Sequence, residues 1–239
     1  MRTLNNYIKE SIGSKTTLKE GLADWDEGDF EKSIKKETSK PALKKIITDW
    51  LITNSRCNVY KNKIKFDFNT YPITVDYDGD IQFKNHITSL TNGIFQWGRI
   101  NGCFSCSYCT SLKTLEGAPK KVGRYFYCRS CDALKTLEGA PKEVGEYFVC
   151  ENCKSLESLE GAPEIVDDFF SCSHCASLTS LKGAPKEVGD FNCTNCKSLK
   201  SLKGAPEIVN GCFDCRYCGV QFTEEDVKKV SKVKEKIYC

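Results

Sequence analysis

Phe126-Tyr127-Cys128-Arg129-Ser130-Cys131-Asp132-Ala133-Leu134-Lys135-Thr136-Leu137-Glu138-Gly139-Ala140-Pro141-Lys142-Glu143-Val144-Gly145-Glu146-Tyr147 is one copy of a repeat. Sister copies begin at Phe104, Phe148, Phe170, Phe191 and Phe213. The period is 22 residues except for the unit starting at Phe170, which has 21. Near-identical units at such a period mean a solenoid, because one unit buries its apolar face only against its neighbours.

Within the copy, strand alternation sends Phe126 and Cys128 inward and Tyr125 and Tyr127 outward. Cys131, Leu134 and Leu137 continue the core, and Gly139-Ala140-Pro141 makes a corner. Val144 closes the coil from the far side, and Gly145 turns into the next strand. A proline with a glycine two residues before it argues against an outer α-helix and for extended or 3₁₀ segments. Six units at the roughly 4.8 Å spacing of a parallel sheet span only about 25–30 Å.

Working outward, residues 1–40 are polar, with glycines and an acidic cluster at Asp24, Asp26, Glu27 and Asp29. They read as a loosely ordered connector. Residues 41–103 form a leading unit. Pro41 opens a helix after a Thr38 or Ser39 cap. Leu43, Ile46, Ile47, Trp50 and Leu51 give that helix one apolar face, expected to dock over the end of the solenoid. Val59, Ile64, Phe66 and Phe68, then Ile73, Val75 and Tyr77, alternate as short strands around Asp78-Gly79-Asp80. Ile81 onward is a degenerate first repeat, in which Phe83 and His86 hold the places of the later cysteines. Residues 104–222 are the regular array. Residues 223–239 read as a C-terminal capping helix, with a capping box at Thr223 and Val227, Val230, Val233 and Ile237 on one side.

Of 239 residues, 35 are basic and 32 acidic, so the formal net charge of +3 does not suggest bulk electrostatic binding to nucleic acid. No run reaches the roughly 18 apolar residues of a membrane span. Sixteen cysteines with no secretory signal lead us to expect free thiols and a cytoplasmic protein.

The pattern Phe-x-Cys-x-x-Cys-x-x-Leu resembles the strand segment of leucine-rich repeats, with Phe126, Cys128, Cys131 and Leu134 at core and ladder positions. The resemblance covers about half the chain and implies a parallel sheet whose concave face serves as a binding surface. The doubled cysteine and the Gly-Ala-Pro corner depart from that family. Arrays of Ser-Leu-x-x-Leu-x-Gly-Ala-Pro also resemble phage-encoded repeat proteins. Met1-Arg2-Thr3-Leu4-Asn5-Asn6-Tyr7-Ile8-Lys9-Glu10 resembles the head-targeting peptide of T-even-type phage proteins. That likeness implies cleavage after Glu10, with Ile8 in the recognition motif, and a protein carried in the virion.

Two sets of residues are candidates for function. The Cys-x-x-Cys pairs Cys106/Cys109, Cys128/Cys131, Cys150/Cys153, Cys172/Cys175, Cys193/Cys196 and Cys215/Cys218 have the spacing of zinc ligands. Their recurrence at every rung and their Phe and Leu neighbours favour buried thiols acting as small hydrophobes, so no resident cofactor is expected. A zinc-loaded structural protein is the alternative. The outward strand positions are the expected contacts for a protein partner: Tyr125, Tyr127, Tyr147, Val149, Phe169, Asp190 and Asn192. Glu116, Glu138 and Glu160, followed by Lys182 and Lys203, form a solvated outer column. His86 and His174 are the only histidines, and neither sits in a nucleophile or metal motif, so no enzyme is expected.

Overall fold

The computed structural model describes residues 39–239, and the expected processing residues Ile8 and Glu10 lie outside that range. The chain is a parallel β-solenoid. Each coil of the repeat carries two short strands. The first set forms an eight-stranded sheet of Ile81–Gln82, Phe104–Ser105, Phe126–Tyr127, Tyr147–Val149, Phe169–Ser171, Asp190–Asn192, Phe213–Asp214 and Ile237–Tyr238. Register is strict: Phe126 lies beside Phe148, and Phe170 beside Phe191. The coil one residue short therefore absorbs its deletion outside the strand.

The second set lies on the other side of the coil. Lys121–Val122, Glu143–Val144 and Ile165–Val166 extend a sheet begun by Ile64–Asp67, Ile73–Tyr77 and Phe95–Ile100. Glu187–Val188, Ile208–Val209 and Lys232–Val233 form a separate three-stranded sheet beyond it. The far side of the coil, where extended or 3₁₀ segments were expected, is thus a second strand ladder built on the far-side valines.

The core is built from columns of identical residues. Phe104, Phe126, Phe148, Phe170, Phe191 and Phe213 are almost completely buried. Their rings follow one another at centroid distances of 5.5, 5.2, 5.3, 5.6 and 5.1 Å, and the first four steps are stacked. Each ring contributes about 1.5–3 kcal/mol by burial, and each ring pair about 0.5–1.5 kcal/mol more. Ion pairs between coils, such as Lys142 with Glu164 at 2.7 Å, are exposed and worth at most about 1 kcal/mol. Burial therefore dominates.

The corners are also repeated. Gly117, Gly139, Gly161, Gly183 and Gly204 have φ between 83° and 92°. A Cβ on Gly139 would sit 2.2 Å from the Glu116 backbone nitrogen of the previous coil. Glycine is thus required twice, by conformation and by close approach. Just before the corner, the hydroxyls of Thr114, Thr136, Ser158, Ser180 and Ser201 each accept the N–H two residues on.

Helix α1 (Lys40–Asn54) has Pro41 in its first turn and buries Leu43, Ile46, Ile47 and Leu51. Ser39 is its N-cap without a side-chain capping bond. Trp50 packs edge-on against Phe83 and Phe95. Ile81 aligns with Phe104, which places Phe83 level with Cys106, as expected of a degenerate first coil.

The C-terminal segment differs from the expected helix over 223–239. Helix α2 covers only Glu224–Lys228, behind the anticipated Thr223–Asp226 capping box. The chain then makes one more coil. Lys232 and Lys234 donate to the carbonyls of Glu207 and Val209, and Phe213 and Cys215 donate to Lys236 and Tyr238. Main-chain groups at the edge of the preceding coil are satisfied this way, and a helix lying across them would leave them unpaired. The spacing of Val227, Val230 and Val233 suits a helix, but tertiary pairing overrides it.

Candidate functional site

The outward side of the eight-stranded sheet carries the expected aromatic column. Tyr125, Tyr147 and Phe169 are half-buried. The rings of Tyr125 and Tyr147 stand 4.9 Å apart, and those of Tyr147 and Phe169 5.7 Å apart. Tyr127 stacks on Tyr125 at 5.7 Å, so four rings share one patch. Alternation is the cause: each buried phenylalanine forces its sequence neighbours to the other side of the sheet.

Two arginines that the sequence reading did not single out belong to this patch. The Arg124 guanidinium lies 4.6 Å from the Tyr125 ring centroid and donates to the Tyr125 hydroxyl at 2.9 Å. Its Nε donates to Glu146 at 3.1 Å. Arg129 lies 5.0 Å from the Tyr127 ring centroid, with its Nε 3.2 Å from a Glu151 oxygen. Arginine next to an outward aromatic, with glutamate one period later, was the available signal. The Tyr125 phenol is held above its ordinary value, chiefly by its hydrogen bond to the Glu146 carboxylate. Glu146 is correspondingly lowered, first by Tyr125 and then by Arg124. Burial raises the Tyr127 phenol.

The remaining expected contacts divide. Val149 is 1% exposed, so it is a buried residue rather than a surface contact. It lies in register between Tyr127 and Ser171. Ser171 is itself buried and donates to Glu151 at 2.7 Å, so long side chains from neighbouring coils roof this column. Asp190 and Asn192 are half-exposed but already engaged. Asp190 accepts the Cys212 N–H at 2.6 Å, and Asn192 accepts the Thr194 N–H at 2.9 Å. Asp80 holds the Cys103 N–H in the same way.

The cysteines form two columns inside the coil. The second cysteine of each pair donates its S–H to the carbonyl of the first cysteine one coil back. These bonds run from Cys131 to Cys106, Cys153 to Cys128, Cys175 to Cys150, Cys196 to Cys172 and Cys218 to Cys193, at 3.1–3.2 Å. Cys109 donates to Lys84 in the degenerate coil. Burial pushes the Cys109 thiol up to about 12 and holds Cys128 and Cys150 well above the ordinary range. Cys106 is raised first by its contact with Cys131 and then by burial. The raised values of Cys106, Cys128 and Cys150 favour the uncharged thiol, which suits the apolar interior. Among the described residues, no group of three or more His, Cys, Asp or Glu side chains could hold a metal ion.

The residue before each second cysteine was not anticipated as a feature. Tyr108, Ser130, Asn152, His174, Asn195 and Tyr217 all have φ between 53° and 66°. The two asparagines were the clue, since asparagine tolerates this region best after glycine. His174 is exposed at that turn, as read from the sequence, and Tyr108 and Tyr217 are exposed large side chains. On the outer column, Lys182 pairs with Glu160 at 2.6 Å.

A cleft of about 220 Å³ on the leading sheet is lined by Lys65, Asp76, Tyr77, Asp78, Arg99 and Asn101. Its acids are engaged: Asp76 accepts the Arg99 N–H, and Asp78 accepts from the Asn101 amide. Among the described residues, no helix is long and apolar enough to cross a membrane. Comparison with known protein families, with curated proteins and with solved structures finds no match to this chain.

Proposed function

We propose that the protein is a non-catalytic interaction module that receives a protein partner on the outward face of its eight-stranded sheet. The observation that carries this reading is the row Tyr125–Tyr147–Phe169. Three aromatic rings remain half-exposed on successive coils, although the same strands bury a complete phenylalanine column on the other side. Aromatic side chains with arginine at their edge are the composition of interface centres, because they offer large contact area at small entropic cost. Tyr127, Arg124 and Arg129 complete the patch. Val149 lies covered beside Tyr127 on the next coil, and Asp190 and Asn192 continue the two outward columns.

The test is capture from lysate with the full chain, read by mass spectrometry, against the double variant Tyr125→Ala, Tyr147→Ala. The reading expects a discrete partner to be lost with the double variant and retained by Lys135→Ala on the exposed outer side. Equal capture by the wild-type chain and the double variant overturns it.

A further inference from the structure

We propose that Cys239 and Cys215 form a thiol–disulfide exchange site whose substrate is a low-molecular-weight disulfide. Parallel pairing sets Phe213 beside Ile237 and Asp214 beside Tyr238, so the next residues, Cys215 and Cys239, are neighbours on adjacent coils. Their sulfurs are 3.6 Å apart. Adjacent strands place the Cα atoms about 4.8 Å apart, within the window of about 4.4–6.8 Å that a disulfide accepts.

This pair is set apart by access. The earlier thiols of the same column, such as Cys128 and Cys150, are fully buried, so no oxidant reaches them. Cys239 is exposed while Cys215 is buried against it. The nearby competitors are engaged elsewhere. The Cys218 thiol donates to the Cys193 carbonyl, and Cys212 faces the Glu235 carboxylate at 3.6 Å.

The chemistry balances in two exchanges. The Cys239 thiol loses its proton and attacks the small disulfide, which leaves a mixed disulfide on Cys239 and releases one small thiolate. Cys215 then loses its proton to solvent and attacks the Cys239 sulfur. The second small thiolate leaves, and Cys215 is joined to Cys239. Two protein thiols are oxidised and one small disulfide is reduced to two thiols. Burial raises both protein thiols, so the reaction speeds up as pH rises. The new bond closes a loop containing α2 and ties the last coil to the one before it.

The experiment treats the full chain with oxidised glutathione at about pH 8.5, followed by tandem mass spectrometry of the unreduced digest. The expected product has lost two hydrogens, carries no glutathione and links Cys215 to Cys239. Hydrogen exchange at Lys232 and Lys234 should slow by at least about tenfold on oxidation. Cys239→Ser, at an exposed position, should give no such link and no slowing. A stable glutathione adduct on Cys239, a linked pair of chains, a bond between other cysteines, or an unreacted chain each overturns the proposal.

Discussion

Cys153 donates its S–H to the Cys128 carbonyl 3.1 Å away, across the boundary between two coils. The same bond recurs from Cys131 to Cys218. The thiol does two things at once: it fills core volume, and its S–H reaches a main-chain carbonyl of the preceding coil. A methyl group would do only the first.

The buried first cysteines of the pairs predict alkaline lability. Cys106, Cys128, Cys150, Cys172 and Cys193 are held well above the 9.0 of an ordinary thiol. A group raised in the folded state stabilises fully below its unfolded value and loses that contribution as pH climbs toward the folded one. Stability should therefore hold up to about pH 8 and fall above about pH 9, by up to about 1.4 kcal/mol per pH unit for each thiol. Urea midpoints measured between about pH 7 and 10 check this. Cys128→Ala with Cys150→Ala should flatten the decline, and an unchanged slope would count against these buried thiols as its source.

The corner glycines predict a graded series. Gly139 and Gly117 share a left-handed φ, of 87° and 83°. Alanine at either should lose about 1–2 kcal/mol from conformation alone. At Gly139 the new methyl would also meet backbone at 2.2 Å, whereas at Gly117 it would meet the Thr91 side chain at 3.0 Å. Gly139→Ala should thus be the more destabilising in urea unfolding. Equal losses would show that the coils do not press on each other at this corner.

The surface patch predicts a spectroscopic signature. Glu146 accepts from Tyr125 and Arg124, and this contact is the main cause of the raised Tyr125 phenol. Glu146→Gln removes the charge that opposes tyrosinate formation, so Tyr125 should ionise at lower pH. Ultraviolet titration against a Tyr125→Phe reference isolates the group. Ionisation unchanged in the glutamine variant would mean that the carboxylate does not engage the phenol.

Much of this architecture was readable from repetition. The inward Phe and Cys positions, the glycine corner and the outward tyrosines all follow from one 22-residue unit compared with its sisters. The second strand ladder was only partly visible, because two-residue strands such as Glu143–Val144 are too short to show alternation. The arginines over Tyr125 and Tyr127 were missed because their glutamate partners lie one coil away.

Sequence sufficed where each residue repeats at its own height in the stack. Copies of the same side chain meet themselves, so a solenoid core of phenylalanine, leucine and thiol follows from the period and the pattern. Tertiary structure alone decided the places where unlike coils meet. Val149 and Tyr127 occupy the same outward column, yet one is buried and the other half-exposed, because cover depends on side chains reaching across from adjacent coils. The last coil was decided in the same way. Lys232–Val233 and Ile237–Tyr238 pair as strands because the preceding coil offers an edge of unpaired main-chain groups, which a helical spacing of valines cannot satisfy.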